Sequence, residues 1–253
     1  MIDPSGLAAR ARVRLREAAD PRIARRARTY FKQDERVTFL GVATPGVREI
    51  EKGLFGEVKG VWKIDDAISF CDRLVTSPPM EEKNVGMFLL SRFRRSFDVG
   101  VLRTAKAWLA GNHCANWAAT DALCGLILGP LLLGHPDLIP AVARWSISRN
   151  VWIRRASAVA LVPLARRGAH LDTAYEVAAS LFGDDEDLIH KATGWLLREA
   201  GRSDTRRLEA FLLACGPAVP RTAVRYAIER FPVVRRKRIL TLTRATLPRR
   251  GIA

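Results

Sequence analysis

The segment from Asn116 to Asp121 places an aromatic ring and a carboxylate four residues apart. On an α-helix, residues at positions i and i+4 lie on one face, so Trp117 and Asp121 would present an indole and a carboxylate together. A fixed carboxylate and an electron-rich ring both stabilise positive charge that develops on a substrate. The spacing also fits a helix with Trp117 in the core and Asp121 favoured by the helix dipole, so spacing alone leaves both interpretations open.

Two further segments, residues 148–155 and 190–199, each combine a tryptophan with cationic side chains. In the first segment Trp152 precedes two arginines, and in the second Trp195 lies between a lysine and an arginine. The chain contains no Gly-x4-Gly-Lys-Ser/Thr, Gly-x-Gly-x-x-Gly or Gly-x-Ser-x-Gly sequence, and its four histidines lie far apart. The sequence therefore excludes phosphate-binding-loop enzymes and serine hydrolases that depend on these motifs.

The four cysteines, Cys71, Cys114, Cys124 and Cys215, form no Cys-x-x-Cys pair, and no His-x3-His pair accompanies them. A structural zinc site needs such closely spaced ligands, so the pattern argues against one. We expect the cysteines to be small buried residues rather than disulfides. The sequence predicts no metal and no cofactor.

The charge of the chain favours a polyanionic partner. Among 253 residues, 42 Lys and Arg stand against 26 Asp and Glu, which leaves a formal net charge of +16. Residues 201–253 alone carry 13 Lys and Arg against three acids. Because cations that neutralise phosphates release condensed counterions, nucleic acid is the leading partner. A solvated basic surface, or attraction to an anionic membrane, would explain the same composition.

No stretch of the sequence approaches the roughly 20 uninterrupted apolar residues of a membrane-spanning helix. The first residues, Met-Ile-Asp-Pro-Ser-Gly, lack the basic segment and apolar run of a secretory signal. We therefore expect a soluble cytoplasmic protein without membrane association, found at the nucleoid through DNA binding.

Helices must position these side chains, because apolar residues recur at intervals of three and four along nearly the whole chain. The pattern predicts an all-α protein. The predicted helices are 5–18, 21–33, 45–57, 65–76, 80–95, 98–110, 115–133, 137–147, 151–166, 171–182, 187–201, 204–213, 218–230 and 233–245. From about residue 80 they fall into pairs spaced roughly 35 to 40 residues apart, which is typical of HEAT-like repeats. This favours an α-solenoid with a concave, positively charged face for DNA, although one helical bundle fits the same periodicity.

The three tryptophan segments, in their order and separations, resemble the AlkD family of bacterial DNA alkylation-repair glycosylases, which are HEAT-like repeat proteins. The family's Trp-x3-Asp matches Trp117 and Asp121, and its Asn-aliphatic-Trp-aliphatic-x-Arg matches residues 150–155. Its Lys-Ala-x-Gly-Trp-x-Leu-Arg-Glu matches residues 191–199. The resemblance covers about residues 20–232 of a single domain that spans 1–253. The remaining residues, 233–253, form a basic C-terminal helix or tail outside the family pattern.

The resemblance implies a role for each matched side chain. Asp121 corresponds to the catalytic carboxylate, and Trp117 and Trp195 correspond to the indoles that pack against the deoxyribose and backbone of the damaged nucleotide. Arg155 corresponds to the arginine that holds the adjacent phosphate. The register from Asn150 places Arg155 in that position rather than the neighbouring Arg154. We expect Trp152 to pack in the core.

The resemblance also implies an activity. The protein would hydrolyse the N-glycosidic bond of cationic N3- or N7-alkylpurines in double-stranded DNA and leave an abasic site. It would act as a monomer and keep the base stacked rather than rotate it into a pocket. Bulky adducts of minor-groove alkylating natural products then become plausible substrates, with a role in self-resistance. The alternatives are a noncatalytic HEAT-repeat DNA-binding scaffold, or a solenoid that binds an acidic protein or RNA.

Overall fold

The computed structural model describes residues 2–33 and 35–244 of the chain, and these residues are helical apart from their connections. Their only β-type pairing is an isolated bridge between Thr38 and Pro79. The α-helices are α1 (Pro4–Glu17), α2 (Pro21–Arg28), α3 (Thr44–Val58), α4 (Ile64–Val75), α5 (Met80–Ser91), α6 (Val99–Ala110), α7 (Trp117–Leu123), α8 (Gly129–Gly134), α9 (Ile139–Ala143), α10 (Val151–Val159), α11 (Val162–Arg166), α12 (Leu171–Ser180), α13 (Asp187–Ala200), α14 (Thr205–Cys215), α15 (Arg221–Ala227) and α16 (Val233–Leu242). The predicted all-α class is confirmed, and the packed helices are consistent with a HEAT-like α-solenoid.

The chain divides into two compact units, Met1–Leu138 and Ile139–Ala253. The prediction of one HEAT-like domain over the full length stays a prediction. The predicted C-terminal helix exists as α16, whereas residues 245–253 of the predicted basic tail lie outside the described residues.

In the first unit, α5 is the central helix. It packs against α1, α3, α4 and α7, and ten of its twelve residues are buried. Three of the buried residues are charged and have partners: Glu81 accepts hydrogen bonds from backbone N–H groups of residues 40–42, Glu82 accepts one from Arg12 at 2.9 Å, and Lys83 Nζ donates to the carbonyls of Val75 and Ser77. Burying charged groups on α5 is tolerated because each is compensated in this way.

In the second unit, α13 occupies the equivalent central position. It packs against α10, α11, α12 and α15, and α14 packs against α16. The contact between α13 and α15 is so close that a Cβ atom added at Gly194 would lie 2.4 Å from the Cβ of Tyr226 and 2.7 Å from the carbonyl oxygen of Ala223. Glycine at this position is therefore a packing requirement, and it immediately precedes Trp195.

Short polar side chains and prolines set the helix boundaries. The carboxylates of Asp3, Asp98 and Asp204 accept hydrogen bonds from backbone N–H groups at the starts of α1, α6 and α14. These N–H groups have no partner within their own helices, so each cap stabilises the end at which it lies. Proline occupies the first turn of several helices, where its missing N–H costs nothing.

The structure shortens or divides several of the predicted helices: 80–95 ends at Ser91, 137–147 divides into two 3-10 turns around α9, and 218–230 shortens to α15. Predicted helix 21–33 ends at Arg28, because the Arg28 guanidinium donates to the carbonyls of residues 31, 33 and 35 and holds them in a loop. Predicted helix 151–166 divides between α10 and α11 at Pro163, which cannot donate to the preceding turn. Predicted helix 115–133 contains a π-helical segment, Cys124–Leu128, between α7 and α8.

The continuous helical stretch Trp117–Gly134 is 18 residues long, has a mean hydropathy of 1.5 and is half buried in the protein. By length and composition alone it would reach across a membrane, which the sequence did not lead us to expect. Core helices of soluble proteins have the same properties, so the stretch is weak evidence for membrane insertion. Cys71, Cys114 and Cys124 are buried, as predicted, Cys215 is half-buried, and none of the four forms a disulfide.

We expect Gly194→Ala to lower the free energy of unfolding by about 2 kcal/mol, because α13 and α15 must separate to admit the added methyl group. Gly56→Ala is a matched control, since a Cβ atom at that helical position meets nothing within 4 Å. The control should be neutral or stabilising by up to about 1 kcal/mol. Urea unfolding followed by circular dichroism measures both variants, and equal stabilities would contradict the close-contact explanation.

Candidate functional site

The start of α7 is fixed by the buried side chain of Asn116. Its Oδ1 accepts a hydrogen bond from the N–H of Ala119 at 2.8 Å and caps the helix. Its Nδ2 donates to the sulfur of Met80 on α5 at 3.4 Å, and the hydroxyl of Thr120 donates to the carbonyl of Cys114. These bonds fix the position of the first turn of α7 against α5. They therefore also fix the position of Trp117, which lies in that turn.

Trp117 and Asp121 lie one turn apart on α7, as predicted, and both are half-buried. The π-helical segment begins three residues after Asp121, and its end is marked by the Gly129 N–H, which donates to the carbonyl of Cys124 five residues earlier. Such π segments change the direction of side chains within a helix and are frequent at functional sites. The sequence signal for this segment is the Gly-Pro pair at 129–130, but the predicted helix 115–133 includes no π-helical segment.

The indole of Trp117 stacks on the phenyl ring of Phe31. Their centroids are 5.1 Å apart and their planes differ by 19°. Phe31 also contacts Phe39, with centroids 5.5 Å apart. Sequence reasoning missed Phe31, because it lies in a loop between α2 and α3 and no helical spacing links it to Trp117. One face of the Trp117 ring is therefore covered within the first unit.

Arg28 holds the loop that carries Phe31. Its guanidinium donates to the carbonyls of Phe31 at 3.2 Å, Gln33 at 2.9 Å and Glu35 at 2.8 Å. A guanidinium has five N–H donors in a rigid plane, so one side chain can satisfy several carbonyls of an irregular loop. Arg28 thereby sets the position of the ring that stacks on Trp117.

In the second unit, Arg155 and Arg154 differ in what they bind, although they are neighbours on α10. Arg155 is only 5% exposed and donates to the carbonyl of Leu188 on α13 at 2.5 Å. Arg154 forms an ion pair with Asp184 at 2.5 Å and donates to the carbonyls of residues 148 and 149. Arg154 therefore holds the connection before α13, and the assignment of Arg155 as the phosphate ligand stays a prediction.

Trp195 lies on α13 and is half-buried. Its Nε1 is buried and has no hydrogen-bond partner among the described residues. An indole N–H without a partner is uncommon in a protein interior, because burial removes it from water. The close contact at Gly194 fixes the register of α13 against α15 and so the position of this ring. Trp152 is half-buried, so the expectation that it belongs to the core was only partly met.

The last residue of the third motif, Glu199, is fully buried among arginines. Its carboxylate lies 3.0 Å from Arg166, 3.3 Å from Arg202 and 3.4 Å from both Arg198 and Arg230. Burial opposes ionisation of Glu199, but the hydrogen bond and charge of Arg166, followed by Arg202 and Arg230, outweigh it and lower its pKa. Glu199 thus holds the C-terminal half of α13 through these arginines.

Each unit therefore brings together one pair of the predicted site residues. Trp117 and Asp121 share α7 in the first unit, and Arg155 and Trp195 lie on the packed helices α10 and α13 in the second. Over residues 2–33 and 35–244, no cluster of three or more His, Cys, Asp and Glu side chains has the arrangement of a metal site. The groups available for chemistry are a carboxylate, indole rings and guanidinium groups.

The model of the DNA alkylation repair enzyme family matches residues 11–231, which is most of the chain. The protein belongs to the DNA alkylation repair enzyme family. As a member of this family, it is an enzyme of DNA repair and acts on DNA.

A solved structure gives the fold of this repair enzyme independent support. The chain is similar to a predicted DNA alkylation repair enzyme from Enterococcus faecalis, with a TM-score of 0.75 and 18% sequence identity. The match covers 85% of this chain and 97% of the other. At 18% identity, this similarity shows that the two chains share a fold. No curated protein matches the chain.

We expect the Phe31–Trp117 stack to contribute about 1 kcal/mol beyond the area it buries. A double-mutant cycle with Phe31→Ala and Trp117→Ala, followed by urea unfolding, measures this coupling directly. The pair Phe55–Phe93 is a matched control in the same unit, with ring centroids 6.0 Å apart. A coupling energy indistinguishable from zero for Phe31 and Trp117 would show that the stack does not position the indole.

Glu199→Gln should lower the free energy of unfolding at pH 7 on the order of 3 kcal/mol, because it leaves the surrounding arginines without their shared carboxylate. The folded-state pKa of Glu199 is lowered, so its contribution is present above the ordinary value of 4.5 and is lost as the pH falls through the lowered value. Urea unfolding at several pH values tests this. The stability difference between the variant and wild type should shrink below the ordinary glutamate pKa; a constant difference would contradict the assignment.

Proposed function

We propose that the protein is a DNA glycosylase of the AlkD type, which hydrolyses the N-glycosidic bond of cationic N3- and N7-alkylpurines in duplex DNA. The observation that supports this most strongly is the arrangement of α7, where a capped helix presents Trp117 and Asp121 one turn apart. Membership of the DNA alkylation repair enzyme family supplies the substrate, DNA, to which this chemistry applies.

The proposed reaction depends on charge. An alkyl group at N3 or N7 makes the purine cationic, so the base departs as a neutral molecule when the C1′–N bond breaks and takes both bonding electrons with it. Positive charge then develops on the sugar. The Asp121 carboxylate stabilises that charge and orients a water molecule whose oxygen bonds to C1′, while the water proton passes to the carboxylate or to solvent. The products are the free base and an abasic site.

The other site residues bind the DNA around the damaged nucleotide. The face of Trp117 opposite Phe31 packs against the deoxyribose and adds its ring electrons to the stabilisation of the sugar cation. Trp195 packs against the DNA backbone. Arg155, whose guanidinium also donates to the carbonyl of Leu188, binds the phosphate adjacent to the damaged nucleotide.

We propose hydrolysis without strand cleavage. A lyase reaction needs an accessible amine that attacks C1′. Burial lowers the pKa of Lys83, but its Nζ is held by the carbonyls of Val75 and Ser77, so it is a structural group. Lys191, in the third motif, pairs with Asp187 at 2.8 Å. Neither amine is placed as a nucleophile.

We further propose that the modified base stays stacked in the duplex during the reaction. Recognition would then depend on the lability of the glycosidic bond and on the backbone, so bulky adducts of minor-groove alkylating natural products would be accepted beside methylated bases. Such substrates fit a role in self-resistance. The enzyme would act as a monomer in the cytoplasm, at the nucleoid, without a cofactor.

The test is release of the free base from duplex DNA that contains N7-methylguanine or a bulky N3-alkyladenine, followed by chromatography. Wild type should release base, and Asp121→Asn should reduce the rate about 10²–10³-fold, because it removes the charge that stabilises the sugar cation. Binding of the same DNA should change little.

Asp172→Asn is the matched control, because Asp172 is an exposed carboxylate whose partner is Arg207. It should release base at the wild-type rate. Tight DNA binding by wild type without release from either lesion would contradict the glycosylase and leave the noncatalytic scaffold. Equal release by wild type and Asp121→Asn would contradict the role of Asp121.

A further inference from the structure

The first unit contains a cavity of about 400 Å³ beside the loop that carries Phe31. It lies among α2, α3 and α5, and its wall includes side chains of three chemical kinds. Tyr30 and Phe39 are aromatic, Met80 and the aliphatic side chains are apolar, and four side chains are polar: Arg26, Thr44, Glu81 and Asn84. The volume is that of a small-molecule site, and a mostly apolar wall with few polar groups is typical of such sites.

The Glu81 side of the cavity is rigid. The Glu81 carboxylate is 4% exposed and accepts hydrogen bonds from the N–H groups of Leu40 at 3.0 Å, Gly41 at 2.9 Å and Val42 at 3.3 Å. Gly41 has φ +94°, and a Cβ atom there would lie 2.0 Å from the carbonyl oxygen of Asp20. Only glycine fits, so the wall is formed before any ligand arrives.

Two polar side chains of the cavity have unused hydrogen-bonding capacity. The amide of Asn84 and the guanidinium of Arg26 make no hydrogen bond or ion pair with any described residue. An asparagine amide offers a donor and an acceptor in one plane, which is the arrangement that pairs with the edge of a nucleobase. Tyr30, which is 68% exposed, and Phe39 supply ring faces for stacking.

The charged and polar side chains of the cavity limit the chemical class of ligand that it can bind. The buried Glu81 carboxylate disfavours a phosphate or carboxylate beside it, and the Arg26 guanidinium of the same wall lies at the exposed surface of α2. A purely aliphatic group would leave the Asn84 amide desolvated without compensation. A flat, neutral ring with hydrogen-bond donors and acceptors on its edge can stack on the aromatic side chains and form hydrogen bonds with the polar groups.

The cavity is connected to α7 by two sets of contacts. Phe39 in its wall touches Phe31, which stacks on Trp117. Met80, also in the wall, accepts the hydrogen bond from Asn116, the cap of α7. A ligand in the cavity therefore contacts residues that themselves position the helix with Asp121.

We propose that this cavity is a second binding site for a planar heteroaromatic group of nucleobase size. Such a group has two sources: a free purine or a base of the bound DNA. The free-purine source rests on the proposed function, since base excision is what releases the purine beside this site. Binding there would stack the ring on Tyr30 or Phe39 and pair its edge with Asn84.

Titration calorimetry of the full chain with adenine and with 7-methylguanine tests the free-purine source. Wild type should bind at least one of them, and Asn84→Ala should weaken binding about tenfold through loss of two hydrogen bonds. Arg26→Gln removes the second unused hydrogen-bonding group of the cavity and should also weaken binding. Because Arg26 lies on the exposed surface of α2, this variant keeps the test valid if Asn84→Ala unfolds. Asp121→Asn should bind purine as wild type does, so failure of the glycosylase and failure of this site give different results.

A duplex with 2-aminopurine beside or opposite a stable abasic analogue tests the DNA source. If a DNA base enters the cavity, the fluorescence of 2-aminopurine should change on binding wild type and change less with Asn84→Ala and Arg26→Gln. A purine affinity or a fluorescence change that depends on these side chains supports the site and identifies the source. The proposal is overturned if neither probe responds, or if both respond equally in wild type and in the two variants.

Discussion

The candidate site depends on one side chain, the amide of Asn116. Its oxygen caps α7 and its nitrogen bonds the sulfur of Met80 on the central helix α5, so the helix start and its attachment to the core are fixed by the same group. The first N–H groups of a helix have no partners within it, so without this cap the start of α7 would be less stable. The position of Trp117 follows from this anchor, and the Phe31 stack and the π-helical segment complete it.

Several acidic groups of this basic protein pair with its own arginines. Glu57 pairs with Arg10 and Arg14, Glu82 with Arg12, and Glu199 is surrounded by four guanidinium groups. Because 26 acids face 42 Lys and Arg, a net positive charge remains after such pairing. The paired arginines hold helices together, and the surplus is what attracts DNA to a DNA alkylation repair enzyme. Charge thus has two separate roles in one fold.

The proposed nucleobase cavity and the proposed catalytic helix are parts of one packed layer. The same loop supplies Phe31 to Trp117 and Phe39 to the cavity, and the same helix, α5, supplies Met80 to both. Binding at one place therefore bears on the geometry of the other, because tightly packed side chains have few alternative arrangements. In this view the side chains of Asn84 and Arg26, which form no hydrogen bond with the described residues, are retained for a ligand.

The sequence by itself determined the features that arise from neighbours along the chain. Apolar spacing identified the helices, Asn and Asp caps and prolines marked many of their ends, and the motif around Trp117 and Asp121 pointed to the chemistry. Tertiary structure alone decided that Phe31 covers Trp117, that Arg154 binds Asp184 while Arg155 turns to α13, and that a cavity forms beside Glu81. Caps and helical periodicity depend on residues a few positions apart, whereas these contacts join residues distant in sequence, and only packing of the whole unit selects among the many pairings that the chain allows.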